Sequence, residues 1–68
     1  MAKIELDVTL LRTSDLAFLV QSDVGKGWVP RKGNAFEPKN RAPEHHWKLP
    51  LEGVLTIHEN MAHDEGLI

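Results

Sequence analysis

Lys3-Ile4-Glu5-Leu6-Asp7-Val8-Thr9-Leu10 alternates without a break. Ile4, Leu6, Val8 and Leu10 fall on one side of an extended chain; Lys3, Glu5, Asp7 and Thr9 fall on the other. Period two over eight residues is the pattern of a half-buried strand with one wet face. Arg12-Thr13-Ser14-Asp15 then supplies polar turn residues. Leu16-Ala17-Phe18-Leu19-Val20 follows, apolar on both faces, and reads as a central strand. So short a connection favours an antiparallel hairpin.

Working outward, residues 21–27 hold an Asp and two glycines and read as a turn that needs positive φ. Trp28-Val29 is a short third strand, ended or held at an edge by Pro30, which has no N–H for a ladder. Residues 3–30 thus form a three-stranded meander. Residues 31–50 carry Pro38, Pro43 and Pro50 with Gly33, Asn34 and Asn40, and read as one long loop that Phe36 and Trp47 pin to the sheet. Gly53-Val54-Leu55-Thr56-Ile57 is a fourth strand. Thr56 and Glu59 have the spacing of a capping box, so His58 through Glu65 reads as a short helix stopped by Gly66, with Met61 and Ala62 toward the sheet. The expected fold is mainly β (α+β). It is one small domain over residues 1–68: a meander of about four strands closing toward an SH3-like sheet or barrel, with a short C-terminal helix over part of 53–68.

Three groups of residues carry a resemblance. They are Thr13-x-Asp15-x-Ala17-x-Leu19-Val20, Trp28-Val29-Pro30-Arg31, and Thr56-Ile57-x-Glu59-x-Met61-Ala62 with the closing Glu65-Gly66-Leu67-Ile68. Together they resemble a group of small phage and bacterial proteins that join a β-meander ending in W-[IV]-P-[KR] to a short helix ending in G-L-I. The similarity covers residues 3–31 and 54–68. It departs at His58, where a proline is expected, and at the inserted 32–50 segment. The group has no assigned activity, so the resemblance implies a fold and a phage-type origin and carries over no catalytic residue.

Size and composition narrow the chemistry. The chain has 68 residues, net charge −2 and no cysteine. Neither a disulfide nor a thiolate metal site can form. No stretch approaches the ~20 apolar residues of a membrane span, and the N-terminus lacks the apolar run of a signal peptide. A cytoplasmic location without membrane contact is the expectation.

His45, His46, His58 and His63 lack paired ligand spacing. The one set to consider is His46, His63 and Glu59, and no metal or cofactor is expected. Ser14 and Ser22 lie in turns without a nucleophile-elbow context. Gly25-Lys26-Gly27 is too short for a phosphate loop. A domain this small has little depth for a catalytic pocket, which normally needs ~300 Å³. The reading is non-enzymatic.

Charge is unevenly spread. Residues 1–25 carry net −2, residues 26–48 net +4, and residues 49–68 net −4. The basic middle also holds Trp28, Phe36 and Trp47. Two functions follow. The first is a protein-binding module anchored by Trp47 between His46 and Lys48, with Trp28 and Arg31 beside it and Lys32, Lys39 and Arg41 in the same segment. The alternative is a domain that binds single-stranded nucleic acid, in which basic side chains track the backbone and rings stack on bases. The sheet edge beside Pro30 is a further place for strand addition or self-association.

Overall fold

The computed structural model describes residues 2–68. Five strands form one antiparallel sheet: β1 (Lys3–Thr13), β2 (Ala17–Gln21), β3 (Lys26–Pro30), β4 (Ala35–Pro38) and β5 (Leu51–His58). A short 3₁₀ turn (Glu44–His46) precedes β5, and a helix, α1 (Glu59–Asp64), follows it. The strand order is β3-β2-β1-β5-β4, with β1 in the centre. The β-rich antiparallel fold with a C-terminal helix matches the expectation, with five strands rather than about four.

Register explains the alternation. Ile4, Leu6 and Val8 face Ile57, Leu55 and Gly53 across β1–β5, and Leu10 sits between Leu51 and Val20. Phe18 faces Val29, and Phe36 faces Leu55. These side chains share the inner face, and Leu10, Val20, Val29, Leu55 and Ile57 are fully buried there. One irregularity breaks the rhythm. Leu10 pairs with Val20 but Arg12 pairs with Leu19, so Leu11 is an extra residue in a β-bulge.

The sheet curls around this face. Residues 31–34 alone link the two edge strands β3 and β4, in a turn closed by Asn34 N–H to the Arg31 carbonyl (3.2 Å) with Gly33 at φ 80°. Phe18 and Phe36, three strand positions apart, have ring centroids 6.2 Å apart. In a flat sheet their strands would be separated by ~14 Å.

Four expectations need correction. The 31–50 segment is not one loop, because Ala35–Pro38 pairs with β5 as β4. The capping box does not form, because Thr56 is held in the β1–β5 ladder opposite Glu5. His58 is the N-cap, with no side-chain hydrogen bond, and the helix is Glu59–Asp64. Gly25 and Gly27 do not adopt positive φ, which among glycines is confined to Gly33 and Gly66. Their role is clearance: a Cβ at Gly25 would lie 2.7 Å from the Gly66 carbonyl oxygen, and one at Gly27 2.8 Å from that of Glu65.

The C-terminus lies over those two glycines because α1 ends in a Schellman arrangement. Leu67 N–H donates to Ala62 (2.8 Å) and Gly66 N–H to His63 (3.1 Å), with Gly66 at φ 73°. Ser22 Oγ then donates to the Leu67 carbonyl at 2.6 Å. Ala62 is buried and Met61 packs against the core, as the helix reading expected, and Leu67 is buried with them.

Candidate functional site

Four of the candidate residues lie in separate loop positions. Lys32 lies in the β3–β4 turn, Lys39 and Arg41 follow β4, and Lys48 follows the 3₁₀ turn; all four are exposed. Lys39 donates its backbone N–H to Glu52 (3.1 Å) and lines a depression of ≈ 440 Å³ with Asp7, Asp23 and Glu52, so acids surround it. Arg41 adopts φ 56° and closes a turn by donating to the Pro38 carbonyl at 3.0 Å.

Arg31 and Trp47 are brought together, and inward. Trp47 packs edge-on against Phe36 (5.4 Å between centroids) and tilted against Phe18 (6.3 Å), and its Nε1–H donates to the Ala42 carbonyl at 2.8 Å. The Arg31 guanidinium lies 4.5 Å from the Phe18 ring centroid. It donates to both Glu44 carboxylate oxygens (2.7 and 2.9 Å) and, through Nε, to the Ser14 carbonyl (2.8 Å). With three of its five donors bonded and the guanidinium set against a ring, Arg31 has much of its binding capacity committed within the fold. These two residues fasten the segment between β4 and β5 onto the core.

The Arg31–Glu44 pair has a pH signature. The hydrogen bond from Arg31 holds the Glu44 carboxyl below its ordinary range, and the same bond raises Arg31. A lowered folded-state value means the pair stabilises the fold above the ordinary carboxylate range. That stabilisation is lost as pH falls through the lowered value. Both side chains reach solvent, so its size is below about 1 kcal/mol. Glu44→Gln is expected to lower the melting temperature slightly at neutral pH, with the two melting curves converging in acid. A gap that stays constant with pH would contradict this origin.

Trp28 differs from the other large rings. Phe18 and Phe36 are buried and Trp47 is half-buried, whereas Trp28 is 46% exposed. It stands on the outer face directly across from Leu19, next to the Ala17–Pro30 pair. Arg12 faces Leu19 from β1, with the extra residue Leu11 beside it. Lys26 lies two residues from Trp28 on the same face, opposite Gln21. The result is an apolar corner, Leu11, Ala17, Leu19, Trp28 and Pro30, rimmed by two cations. The residues sequence reasoning missed here are Leu11, Arg12, Ala17, Leu19 and Lys26. Parity gave a signal for Leu19, since a strand that buries Phe18 and Val20 must turn Leu19 outward. The bulge that adds Leu11 left no signal.

Among the described residues no group of three His, Cys, Asp or Glu side chains could hold a metal ion, and no helix is long and apolar enough to cross a membrane. The chain matches no protein-family model, no curated protein and no solved structure.

Proposed function

We propose that this protein is a non-enzymatic, cytoplasmic protein-binding module, of the phage-type group it resembles, that docks through the outer corner of the β2–β3 hairpin. One observation carries the reading: Trp28 is 46% exposed and directly faces Leu19 in the strand pairing, on the outer side of a sheet whose other face holds the core. Trp and Arg are the residue types that most often anchor interfaces, and grouped exposed apolar side chains mark contact sites. Stacking of single-stranded nucleic acid has less support, because Phe36 and Trp47 are committed to internal contacts.

Trp28→Ala tests the reading. The variant is expected to keep its melting temperature, since a half-exposed side chain contributes little to the core. Immobilised variant should lose the proteins that immobilised wild type retains from a host lysate. Equal retention by both would contradict the reading, and so would retention that nuclease treatment abolishes.

A further inference from the structure

β3 is an edge strand, and its ladder shows which backbone groups are spare. Residues of an antiparallel strand exchange hydrogen bonds alternately with one side and the other. Arg31 N–H donates to Leu16 (2.9 Å) and Ser22 N–H donates to Gly25 (2.8 Å). Gly25, Gly27, Val29 and Arg31 therefore turn their backbone toward β2, and Lys26, Trp28 and Pro30 turn theirs outward. Pro30 has no N–H, and its carbonyl already accepts from Asn34 Nδ2 at 2.9 Å. Lys26 and Trp28 keep two donors and two acceptors facing away from the sheet.

The opposite edge is closed further. Lys39 N–H donates to the Glu52 carbonyl (3.1 Å), so Phe36 and Pro38 turn their backbone groups away from β5, and the Pro38 carbonyl accepts from Arg41 at 3.0 Å. Only Phe36 remains there. Strand addition is a common mode of peptide recognition, and β3 can supply twice the hydrogen bonds that β4 can.

Chemistry beside β3 selects the occupant. A groove of ≈ 460 Å³ lies between Pro30 and α1, with Met61 and Pro30 as apolar surface and Asp64 and Glu65 as acidic wall. Neither carboxylate makes an ion pair among the described residues. Residues 49–68 carry four acids and no Lys or Arg.

We propose that the β3 edge takes up an extended basic segment of a partner protein. Its backbone pairs with Lys26 and Trp28. Lys or Arg at alternate positions points over the groove to Asp64 and Glu65, and the intervening apolar side chains lie beside Trp28. A second copy of this chain is a poorer occupant, because it would bring its own acidic α1 to the same groove. The inference rests on the Trp28 corner being the docking surface, and names what docks.

The probe is the hexapeptide acetyl-Lys-Val-Lys-Val-Lys-Val-amide, with the Glu-for-Lys peptide as its counterpart, titrated into ¹⁵N-labelled protein. The lysine peptide is expected to slow hydrogen exchange at the amides of Lys26 and Trp28, and the glutamate peptide is not. Asp64→Asn with Glu65→Gln should erase the preference between them. Lys26→Pro removes an outward donor that the monomer does not use, so it should weaken binding several-fold without unfolding the domain. Equal or better binding of the glutamate peptide overturns the inference, as does a protein that by itself sediments as a concentration-dependent dimer. If neither peptide protects the two amides while Trp28→Ala still loses its retained proteins, this inference falls and the docking surface stands.

Discussion

Trp47→Ala is expected to remove most of the protein's stability at room temperature. A domain of this size, without disulfide or metal, holds only ~3–5 kcal/mol of net stability. Removing a fully buried Trp side chain costs about 3–5 kcal/mol, and the half-buried Trp47 belongs at the lower end of that range. Here the ring touches both Phe18 and Phe36, and its Nε1–H ties the chain back to Ala42. Its loss would free the segment that carries Glu44, the carboxylate partner of Arg31. Trp47→Phe keeps much of the packing and loses the hydrogen bond, for about 1 kcal/mol. Urea denaturation followed by circular dichroism separates the three forms. A Trp47→Ala protein as stable as wild type would return Trp47 to the role of a free anchor. The contrast with Trp28→Ala, which should alter binding and not stability, makes the pair of variants informative together.

Gly53→Ala is the second large effect. Gly53 is buried on β5, opposite both Val8 and Pro38. A Cβ there would fall on the Phe36 ring tip and on the Glu37 carbonyl oxygen, with Phe36 Cε1 2.8 Å away. The ring is enclosed by Phe18 and Trp47 and has nowhere to swing. The carbonyl belongs to the backbone and can retreat only if β4 leaves β5. Overpacking typically costs 1–3 kcal/mol, and about 3 kcal/mol or more is expected where backbone must move. Against the same ~3–5 kcal/mol total, most of the fold would be lost. A shift of the urea midpoint equivalent to less than about 1 kcal/mol would show that β4 is not held as described.

What could be read from the chain was local. The alternation of residues 3–10 specifies a strand by its own period and lies in β1, which runs on through Arg12 and Thr13, expected to be turn residues. The apolar run that follows has no period but gives β2, apart from the exposed Leu16. β4 has no such period. Ala35-Phe36-Glu37-Pro38 is short, ends in proline, and becomes a strand because β5, some twenty residues later, offers it a ladder. Gly25 and Gly27 look like turn glycines until the returning C-terminus is seen lying over them. The same non-locality separates the two tryptophans. Both sit in the basic segment, and composition marks both as anchors. Trp28 is turned outward by its neighbour Val29, which is buried. Trp47 is drawn inward by two phenylalanines from β2 and β4, contacts that exist only after the sheet curls. Arg31 goes with it, since Glu44 and the Phe18 ring are both in reach.

The central claim is that β3 presents an open edge at Lys26 and Trp28, beneath the exposed Trp28 corner. Residue-resolved hydrogen exchange of the free protein tests it without any substitution. The amides of Lys26 and Trp28 should exchange as fast as those of the turns, while those of Gly27 and Val29, bonded to β2, remain protected. Protection of Lys26 and Trp28 equal to that of Gly27 and Val29 would mean that the edge is already occupied, and would contradict the account.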